Sequence, residues 1–209
     1  MKFGIFGDIH GNLEALEAVL EDMQAEGVTH TVCVGDIVGR YANPRECLEI
    51  VQAMGSPSVK GNQDEQARSP LTEEQREFLK ALPLQRTVDS FTIVHSSLDH
   101  PDRWTDVFSP TEAERSFQNQ TTDLCFFGHT HLPHVFIRDT KVHGFFYKKF
   151  EVLPGKKYFV NVGSVGEPRD GDWRAAYAIY DAAKKTIELR RLPFDLEKAQ
   201  AKLRGPGLR

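Results

Sequence analysis

Five short apolar segments share one design: each is rich in β-branched or aromatic residues and stops at a side chain that can bind a metal ion. They are 2–8 (KFGIFGD), 31–36 (TVCVGD), 57–62 (PSVKGN), 91–95 (FTIVH) and 124–129 (LCFFGH). Short continuous apolar runs of this kind are typical of strands buried on both faces of a sheet. The sequence therefore predicts a buried sheet whose strands end in polar side chains.

Helical patterns separate the first three of these segments. Apolar residues recur at three- and four-residue spacing from Leu13 to Met23, and a second helical pattern covers 44–54, with Asn43 as a candidate N-cap. The order strand, helix, strand, helix, strand favours parallel βαβ units.

The rest of the chain adds helices and then short strands. Helical elaborations are expected near 64–84, after a Thr72 cap, and near 99–123. Alternating patterns predict strands at 134–137, 143–146, 150–153, 158–162, 175–180 and 186–191, then a short helix at 195–203 and a GPGLR tail. Because the sequence shows no internal repeat or linker, a single domain covering 1–209 is expected.

Composition and charge narrow the classes of function. The 209 residues carry a formal net charge of −4, which argues against a nucleic-acid polymer as partner but is compatible with a small nucleotide. Cys33, Cys47 and Cys125 form no close pair, which favours buried thiols in a reducing compartment. No signal peptide or membrane-spanning run is visible, so a cytoplasmic location without membrane contact is expected.

The predicted strand ends carry the chemistry, because ligands of open α/β sheets bind outside the carboxyl ends of the strands. These ends and the residues just beyond them supply seven candidate metal ligands: Asp8, His10, Asp36, Asn62, His95, His129 and His131. A glycine precedes four of them and removes side-chain bulk where the strand must turn. Seven ligands fit two ions about 3.5–4 Å apart that share a carboxylate. Imidazoles among carboxylates favour two divalent transition-metal ions, Mn first, with Fe, Ni or Zn as alternatives.

The motifs that contain these ligands resemble those of the calcineurin-like metallophosphoesterase family. They are GDIHGN (7–12), GDIVG (35–39), GNQD (61–64), VHSS (94–97) and GHTH (128–131), and GSVGEPRDGD (163–172) resembles a bacterial phosphodiesterase-like branch. The resemblance implies an α/β fold, a four-layer αββα sandwich with two mixed β-sheets flanked by helices. It also implies that Asp8, His10 and His131 hold one metal, that Asn62, His95 and His129 hold the other, and that Asp36 bridges them.

The resemblance further implies an enzyme, a metal-dependent phosphoesterase of the phosphodiesterase or dinucleoside polyphosphate hydrolase type. It would hydrolyse phosphodiesters or nucleotide phosphoanhydrides through a metal-bridging hydroxide, since two adjacent ions lower the pKa of a shared water. Its partner would be a small phosphorylated or nucleotide substrate. The candidate catalytic residues are Asp36, Asn62, Gln63 and Asp64.

Gln63 departs from the family pattern, which usually has a histidine at this position that protonates the leaving oxygen. A glutamine amide donates a hydrogen bond but cannot deliver a proton, and proton donation typically contributes about 10²–10⁴-fold to rate. We therefore expect substrates whose leaving groups need little protonation: activated diesters, aryl esters or anhydrides. His100 is an alternative acid.

Two residues are candidate substrate contacts. Asn12 either contacts the substrate phosphate or caps the first helix, which begins after it. The planar fork of Arg169 suits phosphate, although a solvated turn around Gly171 explains this residue equally well. The aromatic cluster at 145–150 is a nucleobase platform, a homodimer face or part of a core.

Other functions compete with a small-molecule hydrolase. A catalytically impaired family member acting as a protein-binding scaffold would explain Gln63, but all seven ligands are retained, and clustered carboxylates are costly without a function. A protein phosphatase would need an intact general acid. A nuclease is disfavoured by the acidic balance and the lack of a basic patch.

Overall fold

Eleven strands in two sheets form the centre of the protein. The structure is a computed structural model that describes residues 1–204, and the predicted tail at 205–209 lies outside these residues. The strands are β1 (Lys2–Phe6), β2 (His30–Cys33), β3 (Gln85–Val88), β4 (Phe91–Val94), β5 (Leu124–Phe127), β6 (His134–Arg138), β7 (Val142–Phe146), β8 (Lys149–Glu151), β9 (Lys157–Asn161), β10 (Ala175–Asp181) and β11 (Thr186–Leu192). The helices are α1 (Leu13–Ala25), α2 (Pro44–Ala53), α3 (Asn62–Gln66), α4 (Glu73–Ala81), α5 (Pro110–Asn119) and α6 (Leu196–Arg204), with a 3₁₀ turn at Pro101–Arg103.

Both sheets are mixed. The first has the order β2-β1-β10-β11-β8, and its β1 and β2 are parallel and joined by α1, which confirms the predicted βαβ unit. The second has the order β3-β4-β5-β9-β6-β7, with β4, β5 and β9 parallel and the outer strands antiparallel. As a result, β1, β2, β4 and β5, the strands that precede candidate ligands, lie in neighbouring parallel pairs.

Three apolar clusters lie between four layers. Alternate side chains of a strand point to opposite faces, so Ile5 packs between the two sheets while Phe6 packs under α1 and α2. In the same way Phe126 lies between the sheets, and Phe127 packs under α5 on the outer side of the second sheet. Helices therefore cover the outer face of each sheet, which confirms the αββα sandwich.

Two local predictions were wrong. The predicted strand at 57–62 forms only an isolated bridge between Ser58 and Cys33, because Pro57 has no N–H to continue a ladder and α3 begins at Asn62. The hairpin strand β3, which pairs with β4 across Asp89, was not predicted, because its side chains are polar and mostly exposed.

Other expectations agree with the structure. The two elaborations contain α3 and α4 and then the 3₁₀ turn and α5, and the Thr72 hydroxyl accepts a hydrogen bond from Gln75 N at the start of α4. All three cysteines are buried free thiols. None of the helices within residues 1–204 is long and apolar enough to cross a membrane.

Candidate metal centre

All seven candidate ligands meet at one edge of the sandwich. Asp8 and His10 follow β1, Asp36 follows β2, His95 follows β4, His129 and His131 follow β5, and Asn62 opens α3. Five of them are buried, and Asn62 and His129 are half-buried. The sheet topology therefore brings together residues that are up to 123 positions apart in the sequence, as the strand-end argument predicted.

One group of ligands surrounds His131. Its Nε2 lies 3.0 Å from Nε2 of His10 and 3.3 Å from Oδ1 of Asp8. Donor atoms of these three residues all lie within 4.8 Å of one another, a spacing that allows them to hold one cation.

A second group surrounds Asn62. Its Oδ1 lies 3.2 Å from Nε2 of His95 and 3.0 Å from Nδ1 of His129, and these two ring nitrogens are 3.2 Å apart. Asp36 lies between the groups: its Oδ2 is 3.5 Å from Nε2 of His95 and 3.8 Å from Nε2 of His10. This is the position that a bridging carboxylate requires.

Hydrogen bonds to groups outside the ligand set orient the histidines. Nδ1 of His95 donates to the Val34 carbonyl at 2.8 Å, and Nδ1 of His131 donates to the Glu167 carbonyl at 2.6 Å. Because a carbonyl can only accept, the proton stays on Nδ1 and the lone pair of Nε2 faces the site. His129 is turned the other way, with Nδ1 in the site and Nε2 3.3 Å from Oδ1 of Asp106.

The carboxylates are held from behind by backbone donors. Both oxygens of Asp8 accept from His129 N, at 3.2 and 3.0 Å, and Oδ1 of Asp36 accepts from Gln63 N at 2.7 Å. Because Gln63 N bonds to Oδ1 of Asp36, Oδ2 of Asp36 is left to face both ligand groups.

Backbone strain is concentrated at the ligands. Five of the seven have left-handed backbone with φ between 50° and 67°: Asp8, His10, Asp36, His129 and His131. Such conformations cost about 1–3 kcal/mol per non-glycine residue and persist where the surroundings enforce them. A Cβ at Gly61 or Gly128 would collide with the carboxylates of Asp36 and Asp8 respectively, so these glycines permit the close approach.

The donor set fits divalent transition-metal ions. Asp8 and Asp36 are 0% and 2% exposed, and the salt bridges of residues 1–204 pair neither of them with a lysine or arginine. Buried carboxylates without a cation are costly. Burial would lower the pKa of His95, but the charge of Asp36 raises it to about 9, whereas burial lowers the pKa of His10 to about 4 and also lowers that of His129. Mixed imidazole and oxygen donors suit first-row transition metals.

Two of the candidate catalytic residues differ in what they contact. Gln63 is half-buried, and its backbone N–H holds Asp36. Asp64 is buried and accepts from Ile37 N at 2.9 Å, Val38 N at 3.1 Å and Gly61 N at 3.0 Å. Burial and the nearby charge of Asp36 raise the pKa of Asp64 to about 7. Its contacts make Asp64 a positioning residue that ties the loop after β2 to α3.

The Asn12 side chain caps α1, the second of the two roles that the sequence leaves open for this residue. Its Oδ1 accepts from Ala15 N at 3.2 Å, and its Nδ2 donates to the Gly166 carbonyl at 3.0 Å. The side chain is fully buried, and both of its polar atoms have partners within the protein.

Arg169 lies at the rim of the centre in a cluster that sequence analysis did not identify. Its Nη2 lies 2.9 Å from Oε2 of Glu167, whose Oε1 is 3.0 Å from Nη1 of Arg40. Oε2 of Glu167 is also 3.6 Å from Nδ1 of His131. Both arginines are partly exposed, so each presents part of its guanidinium to solvent beside the ligands.

The segment between β4 and α5 forms another wall. Trp104 packs edge-on against the His95 ring, with centroids 5.8 Å apart, and Asp106 contacts His129. His100, the alternative acid, is mostly exposed, and its ring lies 3.8 Å from Asp99. Asp106 was missed because its position depends on how the segment folds, which no local pattern indicates.

Comparisons with known proteins identify the family of the chain. The profile of the calcineurin-like phosphoesterase superfamily domain matches residues 1–185. An uncharacterized protein of Methanocaldococcus jannaschii is 34% identical in an alignment 224 residues long, gaps included, that covers 95% of this chain and 90% of that protein. The crystal structure of a metallophosphoesterase from Sphaerobacter thermophilus has a TM-score of 0.89 and 34% identity, covering 100% of this chain and 95% of that chain. A hypothetical protein from Pyrococcus horikoshii, 17% identical with a TM-score of 0.75 over 97% of this chain and 92% of its own, shares the fold. The chain therefore belongs to the calcineurin-like phosphoesterase superfamily.

Proposed function

We propose that this protein is a phosphoesterase that uses two divalent ions to hydrolyse phosphodiesters or nucleotide phosphoanhydrides. The observation that carries the proposal is the position of Asp36, whose Oδ2 lies within 3.8 Å of a histidine from each ligand group. Asp8, His10 and His131 would hold one ion, and Asn62, His95 and His129 the other, with Asp36 shared. Manganese is the ion we expect, with iron, nickel or zinc as alternatives.

Two bound ions would supply the electrophilic chemistry, lowering the pKa of a water and withdrawing charge from the phosphoryl oxygens. The protein's own contribution is positioning. The hydrogen bonds that His95 and His131 donate to the Val34 and Glu167 carbonyls fix the ring tautomers, and Gln63 N fixes Asp36. A preorganised set of this kind does not have to reorganise during the reaction.

The residues at the rim select the substrate. The guanidinium of Arg169 is partly exposed next to the candidate ligands, and its planar fork would contact a non-bridging phosphate oxygen. The amide of Gln63 donates a hydrogen bond to a leaving oxygen without protonating it. We therefore infer a preference for diesters and anhydrides with good leaving groups over alkyl monoesters.

The test combines metal content with turnover. The full chain is stripped of metal and reloaded with Mn²⁺, and hydrolysis of bis-p-nitrophenyl phosphate, p-nitrophenyl phosphate and diadenosine tetraphosphate is compared. Asp36→Asn removes the shared charge with little change in shape, and His143→Ala, an exposed histidine of β7, is the matched control. We expect two Mn²⁺ per chain, metal-dependent turnover that favours the diester or the anhydride, and a loss of about 10³-fold in Asp36→Asn alone.

Two outcomes would contradict the proposal. Turnover that survives metal removal and Asp36→Asn would place the chemistry elsewhere. Two bound Mn²⁺ without turnover on any of the three substrates, together with activity restored by Gln63→His, would favour the impaired scaffold.

A further inference from the structure

A groove lies beside the candidate metal centre, and neither the ligands nor the rim arginines account for it. It has a volume of about 630 Å³ and is lined by Phe146 at the end of β7, by Lys148, by Leu189 on β11 and by the polar turn that contains Asp170. We call it the edge groove, since it lies where β7 and β8, the last strands of the two sheets, follow each other in the chain. Ligand pockets typically enclose about 300–1,000 Å³.

The edge groove is adjacent to the metal centre. Pro133 lines the groove and is two residues beyond His131, so their Cα atoms are at most about 7 Å apart. On the other side, Asp170 lines the groove and follows Arg169, whose backbone N–H donates to the His131 carbonyl. The groove lining therefore comes within two residues of His131 and one residue of Arg169.

The groove offers one exposed aromatic ring. Phe146 is 67% exposed, and the His134 ring covers one of its faces, with centroids 3.9 Å apart. Of the predicted aromatic cluster, Tyr147 and Phe150 instead belong to the core between the sheets. Only Phe145 and Phe146 are left as large exposed side chains of the cluster, and Phe146 is the one that lines the groove.

The groove also offers one cation without an acidic partner. Its three carboxylates each pair with a basic residue of the lining: Asp172 with Arg174 at 2.6 Å, Glu188 with Lys149 at 2.7 Å, and Asp170 with Arg191. Lys148 is exposed and forms no salt bridge within residues 1–204. The lining is therefore positively charged by one unit and attracts an anion at Lys148.

We propose that the edge groove binds the organic part of the substrate, and that this part is an aromatic ring joined to a further anionic group, as in a nucleotide. The ring stacks on Phe146 and the anion contacts Lys148, while the reacting phosphate lies at the metal centre. The inference rests on the proposed function for the reaction itself, but the groove's binding chemistry is tested separately.

Binding is measured by calorimetry on the Mn²⁺-loaded full chain with three probes: adenosine 5′-diphosphate, which has one phosphate for the metal centre and one for Lys148, adenosine, and pyrophosphate. Phe146→Ala is expected to weaken binding of the two adenine-containing probes about tenfold and to leave pyrophosphate unchanged, since stacking on an aromatic side chain contributes about 1–3 kcal/mol. Lys148→Ala is expected to weaken the two phosphorylated probes and to spare adenosine. Phe145→Ala and Lys141→Ala, both exposed and outside the groove lining, are the matched controls.

The outcomes separate the inference from the proposed function. Turnover by the loaded enzyme with probe binding that neither variant changes would overturn the inference alone. Failure of turnover with ring-dependent and anion-dependent binding would support the groove and overturn the hydrolase. Sedimentation of the wild type as a dimer that Phe146→Ala converts to a monomer would assign the surface to a second copy of the chain and overturn the inference.

Discussion

Residues 1–131 supply all seven candidate ligands, whereas residues 132–204 supply none and instead hold the ligands in place. In the first part each candidate ligand lies within four residues of the end of a strand or opens a helix, so its position is set by the local chain. In the second part, segment 163–174 packs behind the ligands: Ser164 Oγ and Gly166 N donate to the Asp8 carbonyl at 2.9 Å, and the Glu167 carbonyl accepts from His131. The candidate ligands are therefore encoded in the first part of the sequence, whereas their alignment depends on both parts, through Val34 and Gln63 in the first and segment 163–174 in the second.

The largest effect on alignment is expected at Asn161, at the end of β9. Its Nδ2 donates to the Gly128 carbonyl at 2.6 Å, and its Oδ1 accepts from Gly163 N at 2.9 Å, so it joins the His129–His131 loop to segment 163–174. Asn161→Ala leaves the buried Gly163 N–H without a partner and removes the bonds to the Gly128 carbonyl, which keeps Thr130 N as a donor, and to the Thr130 hydroxyl. It should lower the free energy of unfolding by about 3 kcal/mol. Denaturant unfolding measures this change.

Asn119→Ala, at the exposed end of α5, is the control and should change stability by less than about 0.5 kcal/mol. We also expect Asn161→Ala to weaken Mn²⁺ binding, because the loop carries two ligands. A destabilised protein with unchanged metal affinity would show that ligand alignment is independent of the second part of the chain.

The next largest effect is expected where the two parts meet at the opposite end of α1. Asp22 receives hydrogen bonds from Arg190 Nη2 at 2.8 Å, Arg190 Nε at 3.0 Å and the Tyr177 hydroxyl at 2.7 Å. Burial would raise the pKa of Asp22, but these donors hold it below its ordinary value. Asp22→Asn should lower the free energy of unfolding by about 2 kcal/mol at pH 7, as expected for hydrogen bonds to a charged group.

The pH dependence follows from the direction of that pKa shift. A lowered folded-state pKa contributes stability above the unfolded value of about 3.9 and loses it as the pH falls through the folded value. The difference between wild type and Asp22→Asn should therefore shrink below about pH 4. Glu21→Gln, an exposed neighbour on α1, should show no such difference. A gap between wild type and Asp22→Asn that stays constant to pH 2 would exclude the charge as its cause.

The same division explains what sequence analysis could find. The ligands and the first βαβ unit follow from apolar runs and strand ends, which are local patterns. Arg40 and Glu167 are 127 positions apart, and nothing local indicates that they meet. The aromatic cluster at 145–150 shows the limit in one segment: Phe146 and Tyr147 are adjacent, yet one is exposed and the other is buried. Tyr147 lies in the interior, where its hydroxyl donates to the Asn161 carbonyl at 3.0 Å, a contact with a distant strand that no local pattern indicates.

Asp106 tests how much a partner from the first part of the chain contributes, since Val34 and Gln63 of that part also hold candidate ligands. Its carboxylate lies 3.3 Å from Nε2 of His129, but it is 55% exposed, which weakens the interaction. Loss of a partner behind a metal ligand typically costs 10–100-fold in affinity, so we expect about tenfold weaker Mn²⁺ binding in Asp106→Ala. Asp102→Ala, exposed in the same segment, is the matched control for the calorimetric titration. Equal affinities in the two variants would remove Asp106 from the site.

The smallest effect is expected at Arg169, where the second part of the chain would contact substrate directly. Because the side chain is 42% exposed, we discount the contact to about 1 kcal/mol, or about fivefold in KM, for Arg169→Ala. An interaction made equally in the ground state and the transition state raises KM and leaves kcat unchanged. Steady-state kinetics on bis-p-nitrophenyl phosphate measures both constants, with Arg138→Ala, an arginine paired with Glu114, as control.

Glu167→Gln should lower KM, because it frees Arg169 and Arg40 from a competing carboxylate. If Arg169→Ala changes neither KM nor kcat, Arg169 makes no contact with the substrate, residues 132–204 act on the reaction through alignment alone, and the solvated turn is the correct account of Arg169.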